Sequence, residues 1–103
     1  GPFSKAVSNI LANAVAYTEA GKNVSVYMEG RSLVVENECK PIPDDEIRRL
    51  FEPFYRPDFS RSRESGGNGL GLYIVDTLLT SMDIPYSFKP MKSPTGMCFT
   101  IHL

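Results

Sequence analysis

The chain has 103 residues, 42% hydrophobic and 22% charged, a length and balance that suit one compact domain with one core and no linker. Its net charge of -1 lacks the basic excess on which affinity for nucleic acid or an anionic membrane surface rests, so neither is expected as a partner. No apolar run approaches the ~20 residues of a membrane span and no signal peptide is readable, which predicts a soluble cytoplasmic domain.

Gly1-Pro2 reads as a protease-cleavage scar, which would make the chain an excised piece of something longer. Phe3, Ala6, Val7, Ile10, Leu11 and Ala14 then recur at helical spacing, predicting a first helix from about Ser4 to Tyr17, with Gly21 as a stop. Asn9 and Asn13 are one turn apart on that helix and Tyr17 continues the stripe. A carboxamide oxygen is a neutral, hard ligand suited to Mg2+ that keeps several waters, and the amide end can donate to phosphate; the plainer alternative is a capped or solvated helix face. Val24 to Met28 alternates, Glu29-Gly30-Arg31 supplies a turn and Leu33 to Glu36 is β-branched and apolar, so a hairpin follows.

Asn37-Glu38-Cys39-Lys40-Pro41-Ile42 lies where the second strand gives way to a loop. There Asn37 could accept the exocyclic amine of a purine, with Ile42 against the base face, or it could simply form an Asx turn. Asp44, Asp45 and Glu46 open a short helix through Leu50, their charge matching the helix dipole. Residues 52–68 lose periodicity and gather Pro53, Pro57, serines and glycines, the composition of a loop that carries function and a candidate lid.

Gly67-Asn68-Gly69-Leu70-Gly71 leaves bare amides before an apolar helical run from Leu70 to Met82, which is a way to seat phosphate or a plain flexible loop. Its G-x-G-x-G spacing follows no buried strand, which argues against a dinucleotide fold, and Leu72-Tyr73 after Gly71 excludes a P-loop. Tyr86 to Lys89 and Cys98 to Leu103 are strand-like, separated by Lys92-Ser93-Pro94-Thr95-Gly96. Cys39 and Cys98 show no C-x-x-C spacing and have only His102 as an imidazole co-ligand, so they read as two reduced, part-buried thiols. The order α-β-β-α-loop-α-β-β, with no internal repeat, predicts an α+β fold, a two-layer sandwich with helices on one face of the sheet.

Read together, these segments resemble a known family. Asn9 to Thr18 resembles the N box of sensor histidine kinases, Phe51-Glu52-Pro53-Phe54-Tyr55-Arg56 their F box and Gly67 to Leu72 their G2 box. Asn37, Cys39 and Pro41 fall where the G1 box has Asp-x-Gly-x-Gly, and Gly96 with Phe99 looks like the remnant of the last glycine motif. The motifs occur in the family's order over nearly the whole chain. The resemblance implies the Bergerat-type ATP-binding fold shared with gyrase, heat-shock chaperone and mismatch-repair ATPases, with its first strand or two missing before Phe3, and the F box favours the kinase branch.

Carried over onto matching positions, it puts Asn13 on Mg2+ with Asn9 in support, Tyr17 beside the phosphates, and Asn37 and Ile42 at the adenine. Arg56 and Arg61 would contact phosphate oxygens from the lid, a task suited to a guanidinium fork, although a solvated basic loop would look the same. Phe51 and Phe54 would anchor the lid, residues 52–68, and Gly67, Gly69, Leu70 and Gly71 would let it close over the triphosphate. The chain departs from the family at Ala16, where many relatives have lysine, and at Asn37, Cys39 and Pro41 in the G1 box, which leaves a variant pocket.

The implied activity is transfer of the γ-phosphate of Mg-ATP to a histidine in a separate dimerisation domain of the same protein, with a response regulator downstream. The setting would be the cytoplasmic side of a membrane-anchored bacterial sensor, the isolated piece being monomeric. His102, the only histidine, reads as a structural strand tip rather than the phosphoacceptor. The alternative is a degenerate nucleotide-binding regulatory module without kinase activity. A chaperone- or gyrase-type hydrolase fits less well, because Asn9 stands where its glutamate base would be.

Overall fold

The computed structural model describes residues 1–53 and 71–103. Its elements run α1 (Pro2–Tyr17), β1 (Val24–Glu29), β2 (Ser32–Glu38), α2 (Asp44–Arg49), α3 (Gly71–Ser81), β3 (Tyr86–Lys92) and β4 (Thr95–His102).

Helix α1 starts two residues before the predicted Ser4, because proline's fixed φ suits a first turn and its missing N–H would have had no partner there. The turn is closed by the Lys5 amide on the Gly1 carbonyl at 3.1 Å. Ala6, Ile10 and Ala14, each four apart, form its buried stripe. At the far end Thr18 turns extended, and both its amide, at 3.0 Å, and its hydroxyl, at 2.6 Å, hold the Ala14 carbonyl. Helix α3 buries Leu72, Val75 and Leu79. It stops in a Schellman turn, with Ile84 N–H on the Leu79 carbonyl at 2.9 Å and Asp83 N–H on the Thr80 carbonyl at 3.1 Å. Asp83 takes φ of 55° there, a left-handed position that glycine usually fills.

The sheet has the order β1-β2-β4-β3 and is antiparallel throughout. β1 and β2 are joined by Gly30-Arg31, where Gly30 at φ 61° supplies the first position of a tight two-residue turn matched to strand twist. β3 and β4 run longer than the sequence implied and close on Ser93-Pro94, whose peptide bond is cis, so Lys92, Thr95 and Gly96 are strand rather than turn. β3 passes straight through Pro90, which it can do because it is an edge strand with one row of amides facing away from the ladder.

One face of the sheet presents Val35 from β2 and Met97, Phe99 and Ile101 from β4 to Ala6, Ile10 and Ala14 of α1 and Leu72, Val75 and Leu79 of α3. Ile42 and Leu50 join the same core, and α1 and α3 pack against each other. This is the expected α+β two-layer arrangement. β1 lies beyond the helices, leaving Val26 and Met28 more than half exposed, at 51% and 56%.

Candidate functional site

Tyr17 and Asn37 lie where α1 ends beside the end of β2. Two backbone hydrogen bonds clasp this corner: the Glu19 amide donates to the Glu38 carbonyl at 3.1 Å, and the Glu38 amide to the Asn23 carbonyl at 3.1 Å. On the other side the Cys39 amide donates to the Thr95 carbonyl at 3.2 Å, tying the loop after β2 to the start of β4. The clasp fixes the last turn of α1, with Tyr17, against the strand end that carries Asn37.

Asn37 is 5% exposed, on the helix-facing side of β2 opposite Met97. Among the described residues its Nδ2 is buried without a hydrogen bond, and so is Nδ2 of Asn9 on α1. Buried donors are almost always paired, since stranding one costs about 1–3 kcal/mol. Asn9 on α1 and Asn37 on β2 thus each carry a buried donor that the described residues leave unmatched.

Asn13, one turn beyond Asn9, is half-buried, as is Tyr17, which also leans on the core. Ile42 is buried, and Gly71 is the first residue of α3. Ala16, where the family resemblance would place a lysine, is buried. Arg56, Arg61, Gly67, Gly69, Leu70 and Phe54, and most of the lid 52–68, lie outside the described residues. Phe51 does anchor the segment leading to them, its ring 5.9 Å from Tyr86 and 5.8 Å from Phe88.

Cys39 is buried beside Asn37, and burial pushes its thiol pKa up; the Asn37 carboxamide opposes that, at a geometry too loose for a hydrogen bond. Both cysteines are free thiols, Cys98 being only partly buried. No cluster of three or more His, Cys, Asp or Glu side chains able to hold a metal occurs among the described residues.

Gly96 was legible only as a turn glycine and a motif remnant. In the sheet it is buried on β4 against β2, where a Cβ would fall on the Asn37 carbonyl, 2.9 Å from its carbon and 3.0 Å from the Glu38 Cα. It therefore sets how closely β4 approaches the strand end that aims Asn37. Strand register, which spacing in the sequence does not reveal, is the signal that identifies this role.

The two-layer domain carries half-buried asparagines on α1, a buried carboxamide near the end of β2, and two buried donors that its described residues do not satisfy. Known proteins narrow the class. The family model described as histidine kinase-, DNA gyrase B- and HSP90-like ATPase matches residues 2–103. The probable sensor kinase SilS of Salmonella typhimurium is 42% identical over 81 residues, covering 75% of this chain and 16% of SilS. The sensor histidine protein kinase HK06 of Streptococcus pneumoniae is 34% identical over 101 residues, covering 98% of this chain and 22% of HK06. Among solved structures, the mycobacterial sensor histidine kinase MprB superposes with a TM-score of 0.73 at 27% identity, over 97% of this chain and 68% of that one. The chain belongs to the histidine kinase-, DNA gyrase B- and HSP90-like ATPase family, and it resembles sensor histidine kinases within it. It spans less than a quarter of the length of these curated relatives.

Proposed function

We propose that this chain is the catalytic ATP-binding domain of a two-component sensor histidine kinase. The observation that carries the reading is the pair of buried amides, Asn9 Nδ2 on α1 and Asn37 Nδ2 on β2, that no described residue satisfies, in a fold of this family. Asn37 and Ile42 take the base, Asn9 donates toward phosphate, and Tyr17 flanks it. Asn13 offers a partly exposed neutral oxygen, which suits a Mg2+ held mainly by nucleotide phosphates and water rather than by a protein cage. That ion would neutralise phosphate charge. Arg56 and Arg61, with Gly67, Gly69, Leu70 and Gly71, belong to the lid that closes over the triphosphate.

The reaction transfers the γ-phosphoryl group to an imidazole nitrogen: the bond to the β–γ bridging oxygen breaks, a P–N bond forms and ADP leaves. Such a step needs positioning and charge neutralisation more than covalent help from the protein. His102 is not placed to receive it. It ends β4, exposed, with Nδ1 3.3 Å from Ser32 Oγ. Asn37 pairs with Met97 at the opposite end of that strand, five residues or about 16 Å away at the usual rise per residue. The acceptor histidine therefore belongs to a separate dimerisation domain, and a response regulator takes the phosphate onward. Cytoplasmic placement in a membrane-anchored sensor follows from the same reading; no described helix is long and apolar enough to cross a membrane.

A second reading, a degenerate regulatory module that binds nucleotide without transferring phosphate, is favoured by the buried alanine at 16 and the uncharged carboxamide at 37. Joining the chain to a dimerisation domain and assaying acid-labile phosphate on histidine separates the two. The kinase reading expects label that disappears with Asn13→Ala; a folded fusion that binds Mg-ATP but never labels would leave the regulatory module.

A further inference from the structure

We infer that Asn37 makes the base end of this site ambivalent, so that it takes 6-oxopurine nucleotides about as readily as 6-aminopurine ones. The inference rests on the reading of the corner as a nucleotide site. The atom of Asn37 that is buried without a partner is a donor, Nδ2. A 6-aminopurine presents a donor at position 6 and an acceptor at position 1, whereas a 6-oxopurine presents an acceptor at position 6 and a donor at position 1. A carboxamide carries one acceptor and one donor side by side, and a half-turn about its terminal torsion exchanges them, so the same side chain complements either edge. A carboxylate aimed at position 6, acceptor only, would accept from the amine there and repel the carbonyl.

The surroundings leave the choice to Asn37. On its face of β2 the neighbours in alternation are Val35 and Cys39, and across the ladder Met97, none of which carries a charge. Glu36 is engaged on the opposite face by the Tyr27 hydroxyl at 2.7 Å, and a Glu38 oxygen accepts the Asn23 amide at 3.3 Å. Gly96 lies against the backbone of Asn37, not its side chain, and so holds the residue in place without occupying its carboxamide.

The test is calorimetric titration of the 103-residue chain with Mg-ATP and, separately, Mg-ITP, which differs at the purine edge and lacks the extra amine of GTP. Dissociation constants within about tenfold of each other are expected, against a ratio of about a hundredfold or more in favour of ATP for Asn37→Asp. Asn37→Ala, which strands no charge if the aspartate variant fails to fold, should weaken both nucleotides together. A wild-type preference for ATP above about a hundredfold would overturn the inference while leaving ATP binding intact. So would an Asn37→Ala variant that binds both as the wild type does. Binding of neither nucleotide to the wild type would instead overturn the nucleotide site itself, and the inference with it.

Discussion

The two sides of this small sheet are finished differently. On the β3 side, Phe51, Tyr86, Phe88 and Phe99 form a continuous aromatic cluster, with Tyr86 stacked on Phe99 at 5.1 Å and Phe88 tilted against it at 5.6 Å. The polar atom that enters this cluster is paired: the Tyr86 hydroxyl donates to Asp76 Oδ1 at 2.5 Å, and Thr80 adds a second bond at 3.4 Å. On the other side two buried amides, Asn9 Nδ2 of α1 and Asn37 Nδ2 of β2, find no partner among the described residues. The first side is settled by the protein's own atoms. The second leaves two donors unmatched, a deficit that the proposed nucleotide site would account for.

Breaking the paired side should lower stability and leave the site alone. Phe99→Ala removes the centre of the aromatic cluster and is expected to cost about 3–5 kcal/mol in urea unfolding, with the dissociation constant for Mg-ATP of the folded fraction unchanged. Gly96→Ala couples the two sides: the new methyl group must push β4 from β2, so a loss of about 3 kcal/mol should come with weaker nucleotide binding, because Asn37 moves with its strand.

Tyr86→Phe removes the shorter of the two hydrogen bonds to Asp76 Oδ1, leaving that of Thr80, and should cost about 1 kcal/mol. It also has a pH signature. Burial first, then the hydrogen bond and charge of Asp76, raise the Tyr86 pKa above its ordinary value of 10.0. The raised folded value means that this stabilisation is complete below pH 10.0 and is lost as pH climbs through the folded pKa, so the alkaline loss of stability should be smaller in Tyr86→Phe, which keeps only the contributions of the other raised groups, Cys39 and Tyr27. Asp83→Gly, which relaxes the left-handed cap of α3, should add about 0.5–1 kcal/mol and touch neither side.

How far the sequence foretold this contrast depends on the range of the interaction that decides each feature. The Asn9, Asn13 and Tyr17 stripe was legible because helical periodicity is local, and so was the hairpin through Gly30. The fold's order of elements followed from the same local signals, and the family motifs then pointed to the correct relatives. The strand-like run Tyr86 to Lys89 fell short of β3, which continues through Pro90 because its edge position in the sheet permits a proline there. The helical cap at Asp83 was hidden for the same kind of reason, since an aspartate does not advertise a positive φ. The stranded amides of Asn9 and Asn37 and the contact of Gly96 with β2 depend on register between segments some sixty residues apart, which no pattern along the chain encodes.

The measurement that most directly tests the unsatisfied corner is thermal unfolding of the wild type and Asn37→Leu, each with and without Mg-ATP. Replacing a stranded buried amide with an apolar group of similar size removes a deficit, so the variant alone should melt at or above the wild-type temperature, by about 1 kcal/mol in stability. Mg-ATP at a hundred times its dissociation constant should then raise wild-type stability by about 2.7 kcal/mol and leave Asn37→Leu unmoved. A variant that melts well below the wild type and still gains as much from Mg-ATP would contradict the account.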